Sequence, residues 1–178
     1  IFVSRLTAMK GVEDVIRAFS YIKKKESKAR LWIVGQGENK YITRLKRIVK
    51  ADGLTSSVVF WGYVPSQKKL ELMRRAHILL HGSVKEGWGL VVLEAASQAT
   101  PTVAFAVPGL RDVIIHEKTG VLVFGRNKEV FADSAIILLH DKERLLKMQR
   151  RSLRYAASFS WDEETKKSLQ LLQKEYKK

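Results

Sequence analysis

The sequence predicts an α/β domain: a doubly wound parallel sheet of about six strands with helices on both faces. Two observations predict it. Short apolar runs alternate with stretches of helical spacing almost without interruption as far as residue 126, and strands joined by crossover helices pair in parallel. The runs are also rich in β-branched residues, as strands covered on both faces are.

In chain order, Ile1–Leu6 is the first apolar run. Gly11–Lys25 follows with helical spacing through Val12, Val15, Ile16, Phe19 and Ile22. Arg30–Val34 is a strand that stops at Gly35, and Asn39–Ala51 a helix with Ile42, Leu45, Ile48 and Val49 on one face. Val58–Trp61 is a strand. Ser66–Ala76 is a helix begun after Pro65, with Ser66 as its expected N-cap. His77–His81 is a strand, Leu90–Ala99 a helix, Thr102–Ala106 a strand behind Pro101, Leu110–His116 a short helix and Gly120–Phe124 the last strand. Helices near Lys128–His140, Lys142–Ser158 and Trp161–Tyr176 close the chain, with Trp161 expected as a packing anchor and Lys174–Lys178 as a fraying end. In such sheets ligands bind beyond the carboxyl ends of the strands, where the strand order reverses. Each glycine-bearing loop after a strand is therefore a candidate wall of one pocket.

At 178 residues and 46% apolar composition the chain fits one domain with a real core. No segment is long and uncharged enough to cross a bilayer. Cysteine is absent, which excludes disulfides and thiolate metal sites. The opening on Ile1-Phe2-Val3, without an initiator Met, reads as a cut inside a longer protein. The net charge is +15, and residues 1–85 alone carry 18 basic and 6 acidic residues. That field favours anionic partners. The clusters Lys23-Lys24-Lys25, Arg44/Lys46/Arg47/Lys50 and Arg74-Arg75 read first as solvated helix faces. Nucleic-acid binding calls for exposed aromatics among the cations, whereas Trp32, Phe60 and Trp61 fall inside predicted strands.

Three loops could carry chemistry. Gly35-Gln36-Gly37 is a G-x-G without the third glycine of a dinucleotide fingerprint, explained equally by a tight turn or a phosphate contact. Ser4–Gly11 places Arg5 and Lys10 ahead of a helix start, where cations oppose the helix dipole. They are either two surface cations or the two arms of a diphosphate site. The third is Glu86-Gly87-Trp88-Gly89. Its glycines let backbone N–H groups approach a ligand, and Glu94 lies one turn inside the apolar helix that follows, where a carboxylate must be paired or exposed. Carboxylates accept from vicinal hydroxyls, so one at each end of an anion site suits a nucleotide-sugar. No Ser-His-Asp spacing, metal cluster or D-x-D pair occurs, so no metal site is expected. His77, His81, His116 and His140 read as structural or surface residues.

These residues carry a resemblance. Arg5-Leu6…Lys10-Gly11, Leu31–Gly37, Val58–Pro65, Glu86-Gly87-Trp88-Gly89-Leu90…Glu94-Ala95, Thr100-Pro101, Gly109, Gly120–Val123 and Phe159-Ser160-Trp161 stand in order along nearly the whole chain. The chain resembles the C-terminal, donor-binding half of a retaining GT-B glycosyltransferase of family 4 (group 1), a Rossmann-like fold. The resemblance implies one nucleotide-sugar domain over residues 1–178, including the helices from about 127, with the N-terminal acceptor domain absent from the chain. It implies transfer of a sugar from a UDP-, GDP- or ADP-sugar with retention of configuration, no metal and no cofactor. Arg5, Lys10 and Glu86 would be catalytic, the cations clamping the diphosphate and Glu86 holding sugar hydroxyls. Amides of Gly87, Trp88, Gly89, Leu90 and Val91 would contact sugar and phosphate, and Glu94 the ribose. Gly35, Gly37, Tyr63 and Val64 would complete the site on the base side. A cytoplasmic location follows, with peripheral contact to the anionic inner face of the membrane left open, and the isolated half should bind donor but turn over little. His77 for the usual Asp, Gly82-Ser83 for Pro-Ser, Gln98-Ala99 for Cys-Gly and Pro108-Gly109 for Gly-Gly blur the subfamily, and hence the sugar. A nucleotide-sugar epimerase, a phosphorylase-type relative and a non-catalytic basic module for membrane or nucleic acid are the rival readings.

Overall fold

The computed structural model describes residues 1–176, without the side chains of 161–164, 167, 174 and 175. Its elements are β1 (Phe2–Val3), α1 (Val12–Lys25), β2 (Leu31–Val34), α2 (Asn39–Ala51), β3 (Val58–Gly62), α3 (Ser66–Arg75), β4 (Leu79–His81), α4 (Leu90–Ala96), β5 (Thr102–Phe105), α5 (Leu110–Val113), β6 (Gly120–Val123), α6 (Lys128–His140), α7 (Lys142–Ala157) and α8 (Trp161–Tyr176). A 3₁₀ turn at Ala8–Lys10 precedes α1.

All strand pairs are parallel, in two three-stranded ladders ordered β1-β2-β3 and β4-β5-β6. The ladders meet at β1 and β4, where the Leu80 N–H donates to the Ile1 carbonyl at 2.8 Å. The strands therefore lie in the order 3-2-1-4-5-6, with the reversal between β1 and β4. One core packs α1, α2 and α6 on one face through Val15, Ile16, Phe19, Leu45, Val49 and Phe131. The other packs α3, α4 and α5 on the opposite face through Leu72, Met73, Val92, Ala95, Leu110 and Val113. Each of these larger side chains contributes roughly 1.5–3 kcal/mol on burial. Double winding is thus visible as two separate cores.

Coverage thins at the β3 edge, where Val59 and Trp61 are exposed. Cationic stems of α3 reach over this gap: Lys68 lies 5.6 Å from the Trp61 ring and Arg75 5.4 Å from Trp32. Several elements are shorter than their sequence pattern. β1 ends at Val3, and β4 begins at Leu79. α4 ends at Ala96 because Ala99 takes φ of 57° and the buried Thr100 hydroxyl donates to the Met73 carbonyl at 2.7 Å. Ser66 is the first residue of α3 instead of its cap; Pro65 occupies the cap position, with no side-chain cap bond. Asn127 does cap α6, accepting from the Glu129 and Val130 N–H groups at 2.8 and 3.1 Å, a device that stabilises by about 1 kcal/mol. α8 runs to Tyr176, into the segment expected to fray. Residues 177–178 and the Trp161 side chain, expected as a packing anchor, lie outside what is described.

Candidate functional site

The chain after β1 turns into α1 on one face, and the chain after β4 leads to α4 on the other. The loops 4–11 and 82–89 thus part at the carboxyl ends of the two central strands and leave a crevice. They touch at one place. A Cβ on Gly11, where φ is 65°, would lie 1.8 Å from the Gly82 carbonyl oxygen, and a Cβ on Gly82 would lie 2.4 Å from that of Gly11. The Val84 N–H also donates to the Met9 carbonyl at 3.0 Å. Only glycine at both positions allows the loops to approach so closely.

Beside this contact is a cavity of about 360 Å³. Lys10, Glu86 and Glu94 line it together with the Trp88-Gly89-Leu90-Val91 segment, as do Val3, Ser4 and Lys69. Other predicted residues lie outside it. Arg5 and Tyr63 are exposed, Val64 is half-buried, and Gly87 is exposed between Glu86 and Trp88. Gly35 and Gly37 accommodate the backbone of the first loop, whose Leu6 N–H donates to the Gln36 carbonyl at 2.8 Å. A larger cavity, about 440 Å³, opens among loops that enter the strands, near Arg30, His77 and Ile78, and holds none of the predicted site residues.

At one end of the site, Lys10 Nζ donates to Glu86 Oε2 at 2.7 Å and Ser83 Oγ to the same oxygen at 3.3 Å. His81 Nε2 lies 3.6 Å from it. Burial alone would raise the Glu86 pKa. The hydrogen bond and charge of Lys10 outweigh burial, helped by His81 and the Gly87 N–H, and hold the carboxyl below its ordinary value. His81, at the end of β4, is 2% exposed, and burial pushes it down to about 4, with Glu86 opposing and Lys10 adding to the fall. The loop is pinned from behind by Arg126, which donates to the Ser83 and Gly82 carbonyls at 3.2 and 3.3 Å and pairs with Asp14 of α1. The Arg126 guanidinium also sits 4.7 Å from the centre of the buried Phe105 ring.

At the other end, Lys69 Nζ of α3 donates to Glu94 Oε1 at 2.6 Å. This resolves the carboxylate inside an apolar helix: Glu94 is both paired and partly exposed. Between the two ends α4 starts at Leu90 behind Gly89, with no side-chain cap. The Val92 N–H donates back to the Gly89 carbonyl at 2.8 Å, and no side chain meets the Leu90 and Val91 N–H groups ahead of it. Gly109 N–H donates to Asp112 Oδ2 at 3.1 Å, and the Gly109 backbone packs against the Glu86 and Gly87 carbonyls. Trp88 meets Phe159 edge-on at 5.5 Å, and Phe159 meets Tyr155 of α7 at 5.0 Å. The glycine turn is therefore braced by the C-terminal helices.

Sequence reasoning missed Lys69, Ser83 and Arg126 and read His81 as structural or surface. Lys69 is one of two adjacent lysines on a basic helix, 25 residues from Glu94, and Arg126 is more than 40 from the carbonyls it holds. Only His81 had a signal: it ends a strand one short turn ahead of Glu86. Among the described residues no group of three His, Cys, Asp or Glu could hold a metal ion.

Strand order and switch-point crevice define a Rossmann-like α/β domain, with the fold of the C-terminal domain of GT-B glycosyltransferases. The chain belongs to the family described as Glycosyl transferases group 1, matched over residues 1–156. It is 31% identical over 172 residues to a glycosyltransferase of Methanocaldococcus jannaschii, covering 95% of this chain and 43% of that protein. It is 30% identical to the D-inositol 3-phosphate glycosyltransferase of Nocardia farcinica, covering 90% and 37% respectively. The chain thus spans about two fifths of the curated relatives it matches. Among solved structures, Anabaena HepE in complex with UDP and glucose superposes with a TM-score of 0.87 at 21% identity, covering 97% of this chain and 47% of that one. The C-terminal domain of a Francisella tularensis group 1 glycosyl transferase superposes with a TM-score of 0.80 at 23% identity, covering 88% and 83%.

Proposed function

We propose that this chain is the donor-binding half of a retaining, metal-independent glycosyltransferase of family 4, which takes a sugar from a nucleoside-diphosphate sugar. One observation carries the reading: two carboxylates, each held by a lysine, sit at the two ends of one cavity, with the uncapped start of α4 between them. Glu86 accepts hydroxyls of the sugar and Glu94 those of the ribose. The diphosphate lies between, against the α4 amides and Lys10, whose charge offsets that building on the departing nucleotide. Arg5, exposed at the mouth of the first loop, completes the clamp from outside the cavity. Lysine charge does the work a metal would otherwise do, so binding should be indifferent to EDTA. Acceptor recognition belongs to the part of the relatives' length that this chain does not span, and the enzyme is placed in the cytoplasm.

HepE is solved with UDP and glucose, and a pneumococcal O-GlcNAc transferase with UDP and GlcNAc, which makes uridine the first base to try. Calorimetric titration with UDP, GDP and ADP at low salt tests the reading. Saturable, EDTA-insensitive binding of at least one is expected; a folded chain that binds none overturns it.

A further inference from the structure

His81 is the one buried side chain of the site whose donor is left over. The Ser83 N–H points at its Nδ1 from 3.5 Å, which makes Nδ1 the acceptor and leaves Nε2 to carry the proton of the neutral ring. Nε2 is buried and has no hydrogen-bond partner. It faces Glu86 Oε2 from 3.6 Å, just beyond hydrogen-bond reach. A ligand in the cavity cannot reach so enclosed an atom, so Glu86 is the acceptor open to it.

Glu86 Oε2 is already taken. Lys10 and Ser83 both donate to it, and Lys10 makes the shortest contact. Lys10 also lines the cavity on a flexible stem, so an anion bound there competes with Glu86 for its ammonium. A largely buried carboxylate that loses its cation needs another donor. His81 Nε2 stands a few tenths of an ångström too far to serve while Lys10 is in place, and near enough once Lys10 moves.

We propose that His81 is a positioning residue that takes over Glu86 when an anionic ligand draws Lys10 away, keeping the carboxylate ionised and aimed at the cavity. This rests on the assignment above of Lys10 to phosphate and Glu86 to sugar. The charged groups facing His81 are Lys10 from the first loop and Glu86 from its own, while Arg126 binds the neighbouring Gly82 and Ser83 carbonyls. Lys10 depresses the His81 pKa and Glu86 raises it, so departure of Lys10 should lift it. A histidine that merely fills the core would feel the lost charge of Lys10 but would gain no hydrogen bond to Glu86, so its Nε2 proton would not move downfield.

Imidazole ¹H–¹⁵N spectra of the chain test this without a sugar. In Lys10→Met, His81 should remain the Nε2–H tautomer, its Nε2 proton should move downfield, and its pKa should climb from about 4. Saturating wild type with inorganic pyrophosphate, then with UDP, should move the same signal the same way, a measurement independent of how Lys10→Met folds. His81→Phe should lose about tenfold of the extra affinity of UDP-glucose over UDP, and His81→Gln, which keeps an N–H near the Nε2 position, should restore it. A His81 signal that stays put both in Lys10→Met and under pyrophosphate overturns the proposal, as does equal behaviour of the Phe and Gln variants. If Lys10→Met moves the signal but UDP, GDP and ADP do not bind, the exchange stands and the donor reading falls.

Discussion

The two ends of the cleft use the same pair of groups, a lysine on a glutamate, in opposite settings. Lys10–Glu86 is the more enclosed: Glu86 is 14% exposed, backed by His81, Ser83 and the Arg126 pin, between loops that meet backbone to backbone. Lys69–Glu94 bridges two helix surfaces, its carboxylate 38% exposed. Burial makes the first pair part of the fold, because removing either partner strands a charge or a donor away from water. The second is close to a surface ion pair, worth between nothing and about 1 kcal/mol. The Glu86 end should therefore resist substitution, and the Glu94 end should be tunable with little loss of stability.

The sharpest way to break this contrast is at the loop contact. Gly11→Ala puts a methyl into the Gly82 carbonyl at a φ of 65°, and a loss on the order of 3 kcal/mol or more is expected in urea unfolding. Wild-type stability for this variant would mean that the loops do not touch. Acid comes next. The folded-state pKa of His81, about 4, lies below its ordinary 6.5, so between these values the unfolded chain binds more protons. Stability from this group is complete above pH 6.5 and falls by about 3 kcal/mol as pH drops to 4. Glu86, whose pKa is lowered, adds a loss in the same direction at lower pH. His81→Phe should flatten the slope between 6.5 and 4, measurable as Tm against pH; an unchanged slope would refute the buried neutral ring.

Arg126→Ala should cost about 1 kcal/mol through the two carbonyls it leaves, and should weaken nucleotide binding although Arg126 does not line the cavity. The smallest stability effects belong to the Lys69–Glu94 end. Lys69→Met and Glu94→Gln should each stay within about 1 kcal/mol of wild type. Glu94→Gln should nevertheless weaken UDP by about tenfold and leave pyrophosphate alone. Equal losses for both ligands would remove Glu94 from the ribose.

The sequence by itself determined the layers, because apolar periodicity acts within one helix or strand: the face carrying Val15, Phe19 and Ile22 and the runs at β5 and β6 could only be buried. It also determined the glycine turn between two carboxylates, since Glu86 through Glu94 is a local spacing. Only the tertiary structure decided who holds those carboxylates. Lys10 reaches Glu86 across 76 residues, Lys69 reaches Glu94 across 25, and Arg126 reaches Ser83 across 43. Those partners are set by the reversal of strand order between β1 and β4, which brings distant loops to one crevice. Charge type and helix position carry no record of that meeting, which is why one lysine of a basic helix face and a histidine at a strand end became part of the site.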